Sequence, residues 1–206
     1  PGMLIGLGGI AKGYALDRAA AALRGAGIGS FLLSAGGQIV VGDPKPTEPH
    51  AGIPQRAWRI GVRDPRGAGD EYFATVELTN SGVSTTGDYE RYFIKDGVRY
   101  HHVLDPRTGR PSRGVRAVSV VAADATLADA LSTALMILGV ERGLELVESL
   151  DGVEAVFVDD EAEVHASGGM AGHLEIHRQP SRAYIAVPGP IPRAFSARSS
   201  SSPSER

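Results

Sequence analysis

Asp129 and Thr133 stand four residues apart in a stretch with helical periodicity, so they project from one face, one turn above the other. A carboxylate and a hydroxyl presented together near a helix start offer oxygen donors to a hard cation. A plainer reading stands beside this: Thr126 and Asp129 fit the capping-box pattern, a hydroxyl residue followed three later by an acid. Spacing alone leaves both open. Far upstream, Gly8-Gly9 opens another helical run, where free backbone N–H groups suit phosphate, and Lys12 adds positive charge in the first turns. The alternative is a tight strand-to-helix turn with a solvated lysine. Gly36-Gly37, inside apolar sequence, marks a bulge or a close approach of a ligand to the backbone. The hydroxyls of Ser84, Thr85 and Thr86 either contact an anion or pack on an edge strand. His101 and His102 are adjacent on a strand and face opposite sides, so only one points into a given site.

Composition narrows the classes. The chain has 206 residues and a formal net charge of −3, which argues against a general nucleic-acid or membrane-surface binder. There are no cysteines, which excludes disulfides, a thiol nucleophile and a zinc–thiolate site. No apolar run approaches a membrane span, and the chain carries no signal-peptide pattern. Its first residue is Pro1, which suggests a chain cut from something longer.

The elements that must position these residues follow from periodicity and turn chemistry. Residues 10–24 read as a helix ended by Gly25 and Gly27. Residues 31–33 and 39–41 are short strands around the glycine pair, and 43–56 is a loop with four prolines. Trp58 to Arg63 and Tyr72 to Leu78 alternate as half-buried strands do, the second with Phe73, Thr75 and Glu77 on one face. Residues 92–100 form a hairpin about Lys95-Asp96-Gly97, and Asp105-Pro106-Arg107-Thr108-Gly109 is a turn. Residues 117–123 read as a buried strand, followed by a helix from Thr126 to Leu138 with its apolar stripe on Leu127, Leu131, Leu135 and Leu138 and Gly139 as C-cap. Glu141 to Leu150 is a helix in which Gly143 is a mild cost. Residues 155–158 are a buried strand, Asp159-Asp160-Glu161 a solvated acidic turn, and two short strands close the fold. The expected class is α/β (α+β): one domain over residues 1–178, with mixed, mainly antiparallel sheets and helices packed on them. Residues 179–206, rich in serine and arginine towards the end, are expected to be a mostly disordered tail.

Five motifs taken together carry a resemblance: GGIAKGYALD from Gly8, AGG at Ala35 to Gly37, TTGDYERYF at Thr85 to Phe93, HVLDPRTGRP at His102 to Pro111 and ADALSTALMILG at Ala128 to Gly139. In this order they resemble the FAD:protein FMN transferase family, the ApbE family, over residues 6–170. The resemblance implies an enzyme that binds FAD and Mg2+ and transfers FMN to a Ser/Thr hydroxyl in the flavinylation motif of a partner flavoprotein, releasing AMP. The alternatives are a flavin-binding protein without transfer activity, or a FAD pyrophosphatase yielding FMN and AMP. It further implies Gly9 (through its carbonyl), Asp129 and Thr133 as metal ligands and Lys12, Gly36, Gly37 and Val103 as the FAD-binding set. His102 or Asp129 is the base. Gly6 stands where the family usually has an aspartate that contributes to FAD binding. The N-terminal part of the family is expected to be absent, leaving its C-terminal catalytic portion. By the same resemblance the protein acts on the extracytoplasmic face of a bacterial membrane.

Overall fold

A computed structural model describes residues 6–45 and 56–183. Along the chain the elements are α1 (Ala11–Gly25), β1 (Leu32–Ala35), β2 (Gln38–Val41), β3 (Trp58–Arg63), β4 (Tyr72–Leu78), β5 (Ser81–Gly87), β6 (Tyr92–Lys95) and β7 (Val98–His101). They continue with β8 (Leu104–Asp105), β9 (Arg110–Pro111), β10 (Val115–Ala122), α2 (Ala125–Leu138), α3 (Val140–Glu148), β11 (Glu154–Asp159), β12 (Val164–Ala166) and β13 (Leu174–Ile176).

The strands β1-β2-β5-β10-β11-β12 form one sheet in that order, and β13-β4-β3 form a second; every pairing within them is antiparallel. Between the sheets lies a core of Val41, Ile60, Phe73, Val76, Val121, Val156 and Met170. On the opposite face of the larger sheet, Val118, Val120 and Phe157 pack against Leu135, Met136 and Val147 of α2 and α3. Covering the sheet on both faces explains why all eight residues of β10 are buried, Arg116 and Ser119 among them. Each large side chain buried there, such as Phe157, contributes about 1.5–3 kcal/mol. A smaller cluster of Leu16, Ala20, Phe31, Val40 and Ala125 fastens α1 beside α2.

The mixed α/β fold with mainly antiparallel sheets is thus as expected, and most elements fall within a residue or two of their expected spans. Several local expectations fail for non-local reasons. The N-cap of α2 is Asp124, whose side chain accepts the Leu127 N–H at 2.7 Å, so Thr126 and Asp129 form no capping box. Leu127 is not a core residue but 39% exposed. Strand β5 lies inside its sheet between β2 and β10, so Ser84, Thr85 and Thr86 are not on an edge. Gly143 is a packing requirement rather than a mild cost: a Cβ there would lie 2.8 Å from Phe157 Cζ. Asp159 does more than face water, since its carboxylate accepts the N–H groups of Glu161 and Glu163 and pairs with His165 Nε2 at 2.7 Å. Most of the proline loop, 46–55, and the tail beyond 183 lie outside the described residues.

Candidate functional site

Helix α1 begins at a Gly8-Gly9 turn in which the Leu7 carbonyl accepts the N–H groups of Ile10 and Ala11. Two residues beyond Ala11, the Gly13 N–H is donated at 3.0 Å to Asp129 Oδ2 on α2. This contact requires the two helices to touch closely. A Cβ on Gly13 would lie 2.1 Å from the Ala125 carbonyl oxygen and 2.9 Å from Asp129 Cβ, so only glycine fits. One turn later Asp17 holds the start of α2 from outside, accepting the Ala125 and Thr126 N–H groups at 3.0 and 2.8 Å and the Thr126 hydroxyl. A carboxylate at a helix N-terminus is favoured by both its free N–H groups and its dipole.

The other oxygen of Asp129 is met from the sheet. Gly36 and Gly37 form the two-residue turn of the β1–β2 hairpin, with φ of 54° and 92°. Both positions need the left-handed region, which glycine enters freely. The first residue after the turn is Gln38, 3% exposed, and its Nε2 donates to Asp129 Oδ1 and to Ser84 Oγ, each at 3.2 Å. Asp129 itself is 2% exposed.

These residues floor a cleft of about 660 Å³. Gly9, Lys12, Gly36, His102, Val103, Asp129 and Thr133 all line it, joined by Gln38, Thr85, Thr86, Glu90 and Arg91. A Cβ built on Gly9 would lie 3.7 Å from Thr133 Oγ1, so the Gly9 backbone and the Thr133 hydroxyl are neighbours. Lys12 extends across the cleft to the glycine turn, its Nζ 3.2 Å from the Gly36 carbonyl oxygen. Gly37 instead lines an adjoining cavity of about 330 Å³, largely apolar, that shares Gly36, Thr85 and Glu90 with the cleft. Burial raises the hydroxyl of Tyr89, in that cavity, to about 12.

The two histidines divide, but not as neighbours on one strand: β7 closes at His101 and His102 lies just past it. His102 is exposed on the cleft, while His101 is buried with Nε2 2.9 Å from the Ser112 carbonyl oxygen. Burial pushes the His101 imidazole below its ordinary range, and the Ser112 contact only partly offsets this.

Seven of the eight expected site residues therefore meet in one cleft, and the eighth borders it. Sequence reading missed Gln38, Gly13 and Asp17. Gly13 and Asp17 are four apart and share a helix face, which was a usable signal, but nothing near them marks their partner 116 and 108 residues away. Among the described residues no three His, Asp or Glu side chains converge on a metal site, so a cation here would rely on hydroxyl and carbonyl oxygens beside one carboxylate. That donor set is oxygen-only, which fits Mg2+. No helix among the described residues is long and apolar enough to cross a membrane.

Residues 1–157 match the family model described as the ApbE family. The FAD:protein FMN transferase of Treponema pallidum is 38% identical over 177 residues, covering 85% of this chain and 49% of that protein. Its counterpart from Rhodobacter capsulatus is 40% identical over 178 residues, covering 85% of this chain and 32% of the relative. Among solved structures, the ApbE protein of Thermotoga maritima superposes with a TM-score of 0.70 at 43% identity, covering 81% of this chain and 52% of that one. The flavin transferase ApbE of Vibrio cholerae gives 0.69 at 30% identity, covering 84% and 53%. The chain spans about half, or less, of the length of these relatives.

Proposed function

The chain belongs to the ApbE family, and from that premise we propose that its cleft transfers the FMN half of FAD to a Ser/Thr hydroxyl of an acceptor flavoprotein, with Mg2+ as cofactor. One observation carries this reading: Gly9, Lys12, His102, Asp129 and Thr133, drawn from distant segments, line a single cleft. The names of the relatives, which are FAD:protein FMN transferases, support the same chemistry.

In the proposed reaction the acceptor hydroxyl oxygen forms a bond to the FMN phosphorus. The bond from that phosphorus to the bridging oxygen breaks, and AMP leaves. Asp129, Thr133 and the Gly9 carbonyl would hold a divalent cation, which would supply positive charge against the charge that develops on the diphosphate. Lys12, reaching into the cleft, adds a second positive charge beside the diphosphate. Two residues are candidates to take the acceptor proton. Both oxygens of Asp129 already accept hydrogen bonds from the protein, whereas His102 is exposed at the cleft; the base is therefore assigned to His102. The apolar cavity beside the glycine turn offers room for an aromatic ring of FAD. By family resemblance the reaction belongs to the extracytoplasmic side of a bacterial membrane.

The test is incubation with FAD, magnesium and a peptide carrying a Ser/Thr flavinylation motif. In-gel flavin fluorescence on the peptide with stoichiometric AMP is the expected result. FMN and AMP released with no labelled peptide would replace transfer by hydrolysis. FAD retained intact would leave a binding protein.

A further inference from the structure

The cleft floor rests on a chain of hydroxyl groups whose direction is fixed by counting protons. Ser132, fully buried on α2, donates its proton to the Asp129 carbonyl oxygen at 3.0 Å. Its oxygen must then accept from its two other neighbours, Ser84 at 3.0 Å and Thr86 at 2.8 Å. With the Thr86 proton used there, the 3.5 Å contact between Thr86 and Thr133 runs from the Thr133 hydroxyl to Thr86. With the Ser84 proton also used, Gln38 Nε2 must donate to Ser84, and its second proton goes to Asp129 Oδ1. The amide orientation of Gln38 follows without ambiguity, because its nitrogen faces two acceptors. Its Oε1 is buried and makes no hydrogen bond to the protein. An orphaned buried acceptor is costly unless a ligand supplies a donor.

We infer that Gln38, Ser84, Thr86 and Ser132 are positioning residues for the oxygen donors of the cleft: Gln38 orients the Asp129 carboxylate, and the hydroxyl chain draws the Thr133 proton away so that its lone pairs face the cleft. This rests on the reading that Asp129 and Thr133 hold a divalent cation. A hydroxyl serves a cation through its lone pairs and must send its proton elsewhere. Outer groups that orient ligands in this way are typically worth ~10–100-fold in metal affinity. The free Gln38 Oε1 is an acceptor of the kind that a cation-bound water needs.

The experiment titrates magnesium into the wild-type protein, Gln38→Met and Ser132→Ala, each with FAD present. It reads the dissociation constant by calorimetry and the magnesium-induced rise in melting temperature. Gln38→Met keeps the side-chain volume. Ser132→Ala deletes one oxygen at a residue that does not border the cleft, and it decides the matter if the Gln38 variant does not fold. Both variants are expected to bind magnesium ~10–100-fold more weakly and to lose most of the magnesium-induced rise. A lower metal-free melting temperature with an unchanged magnesium-induced rise would mean a merely structural chain and would overturn the inference alone. A wild-type protein indifferent to magnesium would overturn the cation reading and this inference with it.

Discussion

Asp129 and Asp88 are both buried carboxylates, 2% and 6% exposed, and the fold treats them in opposite ways. Asp88 is clamped by both Nη atoms of Arg66 at 2.6 Å, with Arg99 Nε at 3.7 Å. Its charge is answered by fixed guanidinium groups, so it serves as a rivet between β5 and the loops around it. Among the described residues, Asp129 accepts from a backbone N–H and a side-chain amide. Neutral donors orient a carboxylate without neutralising it, and under the proposed function that charge is what faces the cation. The same residue type is met by cationic donors in one place and by neutral donors in the other.

The largest effect should come from removing the uncompensated charge. Asp129→Asn is expected to lower flavin transfer by about a thousandfold, since the metal's electrostatic help is worth several kcal/mol. Its melting temperature should fall modestly, because the amide keeps one acceptor oxygen for the two donors that reach this side chain and turns its NH2 towards the other. In-gel fluorescence rates beside a thermal melt check both. Asp88→Ala should do the reverse. It removes the carboxylate that both Nη atoms of Arg66 hold and costs about 3–5 kcal/mol by urea denaturation, while the folded fraction keeps its magnesium affinity. If Asp88→Ala instead abolished magnesium binding in folded protein, the contrast between the two acids would collapse.

A smaller effect sharpens the comparison at the helix contact. Gly13→Ala forces α1 from α2 and should cost about 1–3 kcal/mol, with a loss of magnesium affinity because the Gly13 N–H leaves Asp129. The smallest effect concerns a third buried acid. Burial alone would raise Asp64, but the Arg66 N–H, the hydroxyl and N–H of Ser181 and the Arg178 guanidinium outweigh it and hold the carboxyl below its ordinary 3.8. Its contribution to stability is full above the unfolded value and is lost as the pH falls from there through the folded value. Urea melts from pH 5 down to pH 2 should show this loss, and Asp64→Asn should flatten it.

What was legible in the sequence was local. The spacing of Asp129 and Thr133, the helix that carries them and the Asp96-Gly97 hairpin turn all depend on a few neighbouring residues. Periodicity and turn chemistry report such things directly. The resemblance of five ordered motifs supplied the set that meets in the cleft, while spacing alone left Asp129 between cap and ligand. Only the tertiary structure removed the capping reading, by bringing Gly13 from α1 and Gln38 from β2 to its two oxygens and by assigning the cap of α2 to Asp124 and Asp17. Likewise, the sheet order placed Ser84 and Thr86 in an interior strand against α2, and the meeting of α3 with β11 gave Gly143 its necessity. A carboxylate is defined by the donors that reach it, and those donors lie far apart along the chain until packing selects them.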